Sequence, residues 1–258
     1  MKASSISNKL ENYYYSIKQN RWHWIFQLFC RILLAYAFIV AGMVKILGER
    51  FASGLSEIHP MGAYLEALHH TGYYYTFIGY AQVTAGILLL IPSTVLMGAL
   101  LYLPIIVNIW ILSFAVRFVG SYITSPLMVL ANLYLLAWHY DKLRYILPFN
   151  KYSKEVSLGK PNKYSLKFPY LFAAGVFSTM VFFVLFSRFG HEVMPQNSLE
   201  SCKNQFIGKE NEAAGFAFCE CVHTQGNPLD NCLEEYEAAK INSQQTSSLE
   251  NTLKTIKP

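Results

Sequence analysis

Apolar residues in this chain come in long blocks separated by short polar stretches, not at the three-to-four-residue spacing of an amphipathic soluble helix. A helix needs about 20 apolar residues to cross a hydrocarbon core. Five stretches qualify: residues 28–47, 73–91, 95–118, 122–140 and 169–187. Only Pro92-Ser93-Thr94 separates the second from the third, and only residues 120–124 separate the third from the fourth. Turns that short force antiparallel neighbours. The pattern therefore predicts an all-α polytopic membrane protein. Residues 28–146 form an antiparallel four-helix transmembrane bundle, 147–168 a basic cytoplasmic connection, 169–187 a fifth transmembrane helix and 188–258 a small helical exported tail.

Residues 1–27 read as a cytoplasmic and interfacial arm. Tyr13, Tyr14, Tyr15, Trp22 and Trp24 alternate with Lys18 and Arg21, the composition of a helix lying at a membrane surface. A signal peptide fits poorly, because about 27 residues precede the apolar run and no A-x-A site follows it.

Composition agrees with the pattern: 53% of residues are hydrophobic and 14% charged, against about 25% charged in soluble domains. Disorder and collagen-like repeats are excluded by the same richness in apolar side chains. The net charge of +5 would suggest nucleic acid if it were diffuse. It is not: Lys2, Lys9, Lys18 and Arg21 lie in the arm, and Lys142, Arg144, Lys151, Lys154, Lys160, Lys163 and Lys167 between spans four and five. The loop 48–72 has only Arg50 against Glu49, Glu57 and Glu66. The bias of basic residues towards the inner side places the N-terminus in the cytoplasm and the tail outside, in a bacterial inner membrane. The basic face meets anionic lipid head groups rather than nucleic acid.

The tail holds Cys202, Cys219, Cys221 and Cys232 in a segment too small to be stabilised by its core alone. An even count in an oxidising compartment suits two structural disulfides. A strained, redox-active ring across Cys219-Glu220-Cys221 and a zinc site using His223 are the alternatives. Asn227 before Pro228 reads as a helix N-cap, and residues after about 242 as a frayed end. Cys30, alone in the first span, reads as a packing residue.

Gln82, Asn108 and Asn132 fall near the centres of spans two, three and four. Such carboxamides either hydrogen-bond helices together or line a site for a polar head group such as a quinone. Arg31 and Lys45 bracket the first span 14 residues apart, within roughly 40° of one helical face. They form a candidate charged pair, or snorkel to the two interfaces. His139 follows Asn132 on the same face, beside Asp141. His59, His69 and His70 lack metal-ligand spacing and read as interfacial, so no metal is expected. The chain carries no recognisable catalytic motif.

Several of these residues also stand in short motifs: Arg31 opening span one, Ala41-Gly42-Met43-Val44-Lys45 closing it, Gln82-Val-Thr-Ala-Gly86 through Pro92 in span two, and Trp138-His-Tyr-Asp141-Lys142-Leu143 after span four. Over about residues 28–146 the chain resembles the DoxX family of small bacterial four-helix membrane proteins. The resemblance implies an antiparallel bundle in the cytoplasmic membrane and a link to quinone- or thiol-coupled redox complexes. The family usually carries an acidic residue where this chain has Gln82, and the fifth span and cysteine tail lie outside its core. The expected role is a non-catalytic or accessory subunit of an envelope redox or stress-response assembly, with a membrane or periplasmic protein partner. A quinone-interacting thiol oxidoreductase and a small-solute channel are the alternatives.

Overall fold

The computed structural model describes residues 13–146 and 164–256. Among them the structure is helical, with one isolated backbone bridge between Asn20 and Ser165. Four helices are long and apolar enough to cross a membrane and mark the chain as a membrane protein: Arg21–Ile46 (α1), Val95–Ala115 (α4), Val119–Trp138 taken as one run, and Tyr170–Phe189 (α8). Between α1 and α4 lie Pro60–His69 (α2) and Tyr73–Leu90 (α3). The run 119–138 divides at Ile123 into Val119–Tyr122 (α5) and Thr124–Trp138 (α6), and Tyr140–Ile146 (α7) follows. The second expected span is helical as α3, but with four tyrosines and Gln82 it is not among the helices long and apolar enough to cross a membrane.

The arm differs from expectation. Residues 13–18 are helical, but the chain breaks at Asn20, so Trp22 and Trp24 open α1 instead of belonging to a separate surface helix. Asn20 is extended (φ −89°, ψ 125°) and its side chain accepts from the Trp22 N–H, which makes it the N-cap. The turn after α4 also falls earlier than residues 120–124. It lies at residues 116–118, where Arg117 adopts φ 48°, and Val119–Tyr122 is already helical.

α1, α3, α4 and α6 each pack against the next, and α6 closes back onto α1. The α1–α3 contact is the most intimate. A Cβ on Gly42 would lie 2.7 Å from the Gly79 carbonyl oxygen, and one on Gly79 would lie 2.8 Å from that of Gly42. Only glycine lets the two backbones approach this closely. The enclosed core contains Leu34, Ala35, Phe38, Leu89, Ala99 and Tyr102, with the Phe38 and Tyr102 rings stacked at 3.5 Å. Cys30 is a buried free thiol in this core.

α8 has no buried residue. It touches the remainder through Phe172 near one end, against His23, Phe26 and Tyr134, and through Phe186 near the other, against Phe114 and Tyr122.

The tail builds its own small core from Leu199–Asn204 (α9), Glu212–Glu220 (α10), a π-helical turn at Cys221–Gln225 and Leu229–Ile256 (α11). Two disulfides, Cys202–Cys219 and Cys221–Cys232, fasten α9 to α10 and the π turn to α11. α11 starts at Leu229, with the Pro228 carbonyl accepting from Cys232 N–H. The Asn227 side chain donates to Gln225, so it does not act as the expected cap. Nor does the chain fray after residue 242: α11 runs on to Ile256, with the Ser243 hydroxyl bonded back to the Lys240 carbonyl inside the helix.

Candidate functional site

The bundle interior carries the most unusual chemistry. Gln82 and Asn132 are buried at 2% and 0% exposure, and Tyr102 is fully buried beside them in sequence depth. The Asn132 amide donates to the Ala99 carbonyl at 3.0 Å. Tyr102 is three residues beyond Ala99, about 4.5 Å further along α4. The tight hairpin at residues 91–94 brings Gln82 of α3 within about a turn of Tyr102 in depth. Gln82 Oε1, Asn132 Oδ1 and the Tyr102 hydroxyl are all buried without a hydrogen-bond partner among the described residues. A buried polar atom left unpaired costs about 1–3 kcal/mol, so the two amide oxygens each call for an O–H or N–H donor and the Tyr102 hydroxyl for an acceptor, from a water or another polar partner.

Asn108 does not belong to this group. The buried face of α4 is set by Gly98, Ala99, Tyr102 and Ile106, and Asn108 stands about 200° round the helix from Ile106. Its side chain is exposed. Depth alone suggested a third member; helical phase removes it.

Arg31 and Lys45 are both buried, at 8% and 6% exposure, on the same flank of α1. Among the described residues they pair neither with each other nor with a carboxylate. Arg31 donates from Nε to the Leu89 carbonyl and from Nη2 to that of Leu90, both at 2.9 Å. It therefore caps the C-terminus of α3, where carbonyls lack helical partners and the helix dipole is negative. Lys45 donates to the Ala41 carbonyl, and its ammonium lies 4.4 Å from the Phe51 ring and 5.9 Å from that of Tyr75.

At the end of the molecule that holds the arm, Lys18 bonds Asp141 at 2.9 Å, and the Tyr14 hydroxyl donates to the Trp138 carbonyl and Asp141. Burial raises the Asp141 carboxyl, but the Lys18 and Tyr14 contacts outweigh it and hold it below the usual range. His139 beside it is pushed down to about 4 by burial and the Lys18 charge, and its Nε2 is buried without a partner among the described residues. Of the basic connection, Lys151, Lys154, Lys160 and Lys163 lie outside the described residues.

The opposite end is where the tail docks. His59 is fully buried and N-caps α2, accepting from Met61 N–H at Nδ1. Its Nε2 must then carry the proton, which it donates to the Gln196 carbonyl at 2.9 Å. His223 donates to the neighbouring Pro195 carbonyl, and the two rings lie 5.5 Å apart. Arg117 donates to the Val193 carbonyl at 2.8 Å, and Tyr122 meets His191 at 2.7 Å. His223 therefore serves this joint rather than a zinc site. The short Cys219–Cys221 ring does not form either, and all four tail cysteines are 0–2% exposed.

Glu66, His69 and His70 bring ligand atoms within 4.8 Å of one another on α2, near enough for a metal ion. Their spacing is i, i+3, i+4 across the C-terminal end of α2, a signal the sequence contains. Glu66 is already ion-paired with Arg50 at 3.2 Å.

No family model and no solved structure matches the chain. It is similar to the uncharacterized protein YwoB of Bacillus subtilis (strain 168), at 33% identity over 110 residues that cover 41% of this chain and 71% of the relative. At that identity, over that share of the relative, the chain belongs to the family of YwoB.

Proposed function

We propose that this protein is a DoxX-like integral membrane protein of the bacterial cytoplasmic membrane, serving as a non-catalytic accessory subunit of an envelope redox or stress-response assembly. In this reading α1, α3, α4 and α6 form an antiparallel transmembrane bundle and α8 a fifth span. The N-terminus is cytoplasmic and the disulfide-bonded tail is exported. The observation that carries the reading is the build of the tail. Its four sulfurs are buried in two disulfides, out of reach of the attacking thiolate that exchange requires. The module is also fixed to the bundle by the His59, His223, Arg117 and Tyr122 bonds. Such a fastened module serves to present a surface to a membrane or exported protein, while the basic residues of the arm and of the connection suit the anionic head groups of the lipid bilayer.

A second reading, a quinone-interacting thiol oxidoreductase, draws support from the unpaired Tyr102 hydroxyl, which can donate to a quinone carbonyl, and from the Gln82 and Asn132 oxygens, which can accept from a quinol O–H. One assay separates the two. Purified protein in vesicles is given a dithiol and a short-chain quinone, and quinone reduction is followed optically. The accessory reading expects no rate above protein-free vesicles. A rate that disappears on replacing Cys221 and Cys232 would overturn it.

A further inference from the structure

Seen from outside the bundle, α4 presents Met97, Leu101, Pro104, Asn108, Ile111 and Ala115, all exposed. Their spacing is 4-3-4-3-4. At about 100° per residue the six lie within about 40° of one line along the helix. One continuous face of this kind can face lipid or pack lengthwise against another helix, and its polar content decides between them. No other part of the described chain fills it. The bundle partners of α4 lie on the opposite face, against Gly98, Ala99 and Tyr102, and α8 meets this helix at Phe114.

The seam has one polar residue. Asn108 lies seven residues, or about 10 Å, inside the nearer end of α4. It makes no hydrogen bond within the described chain beyond the helix backbone. Facing hydrocarbon, its carboxamide would find neither donor nor acceptor. A partner at this depth must therefore supply both, in the same plane of the membrane.

We propose that two copies of this chain pair in the membrane along the outward face of α4, with Asn108 hydrogen-bonded to Asn108 of the second copy. Copies inserted in one membrane share an orientation, so their two-fold axis runs along the membrane normal. Each seam residue then meets its own counterpart at the same depth. A carboxamide is the group for which this works, since it donates and accepts at once and pairs with itself. A different protein would need its own polar side chain placed at that depth; a second copy supplies one by symmetry. The pairing needs only that α4 cross the membrane, and is independent of the accessory-subunit reading.

The test is disulfide crosslinking in native membranes, in a Cys30→Ala background whose tail cysteines stay bridged. Single variants Met97→Cys, Leu101→Cys and Ile111→Cys are expected to give crosslinked dimers. Leu133→Cys, exposed on α6, should not. Adding Asn108→Leu to Leu101→Cys should cut the dimer yield about threefold or more, the scale of one hydrogen bond inside a membrane, while Asn108→Gln retains it. An unchanged melting midpoint of Asn108→Leu at dilutions where the protein is monomeric would show the fold intact. Seam cysteines that crosslink no better than Leu133→Cys would overturn the proposal. So would a yield indifferent to Asn108→Leu, or capture of a different protein in place of the dimer.

Discussion

Arg31, Lys45 and Asn132 are buried and Arg117 half-buried, and each donates to a backbone carbonyl. Arg31 bonds Leu89 and Leu90, Lys45 bonds Ala41, Asn132 bonds Ala99 and Arg117 bonds Val193. Helix ends and close helix contacts leave carbonyl lone pairs available, and a donor that uses them avoids bringing a second charge out of water. The Asn132 bond makes a direct prediction. Replacing Asn132 by Leu removes one interhelical hydrogen bond and should cost about 1 kcal/mol, read as a lower thermal midpoint in detergent. A midpoint equal to the wild type would mean that the amide bond holds nothing. That Gln82 and Asn132 sit inside was legible from sequence, because polar groups at mid-span avoid lipid. Asn108 was misplaced because depth fixes a residue's height and leaves its direction open. The small residues Gly98 and Ala99 were the available sign of which face of α4 packs inward.

At the scale of elements, the helices were legible because apolar length and turn residues are local signals, while their ends and joints depend on distant partners. The Asn20 cap and the Ser165 bridge lie 145 residues apart in sequence, and no local pattern announces them. The same is true of the joint between α2 and the tail. Pro60 after His59 marks a helix start, but only the fold shows that the His59 ring also holds Gln196. Burial, and after it the charge of His223, push His59 down to about 4, from about 6.5 when free. The docked state thus binds fewer protons than the open one between these values. Its stability is complete above about pH 6.5 and is lost as pH falls towards 4. The melting midpoint should therefore drop between pH 7 and pH 5. His139 titrates in the same direction at the other end, so a variant must isolate the joint. His59→Asn keeps an acceptor for Met61 N–H but cannot take up the proton, and its midpoint should fall less over the same range. An identical fall in both proteins would assign the pH dependence elsewhere.

Across the whole molecule the polar groups sort to two ends. One end gathers Tyr14, Lys18, Asp141 and the Asn20–Ser165 bridge, so the arm, the end of the α6–α7 segment and the approach to α8 lie together. The other gathers the loop bearing α2, the turn at Arg117 and the tail. This two-ended arrangement is what an even number of crossings between the arm and the basic connection requires. The proposed orientation rests on the charge count. Seven basic residues between spans four and five, against Asp141 and Glu155, favour the cytoplasmic side. The loop 48–72, with Arg50 against Glu49, Glu57 and Glu66, lacks that bias. Alkaline phosphatase folds to an active enzyme only where disulfides form, so its activity reports the side of the fused residue. A fusion after Pro258 should be active, and one at Lys151 inactive. The tail cysteines should correspondingly resist maleimide in freshly isolated membranes until reductant is added, because an exported location lets both bridges form. An active fusion at Lys151 would reverse the protein in the membrane. It would also place Cys202, Cys219, Cys221 and Cys232 in a reducing compartment, where their bridges would not persist.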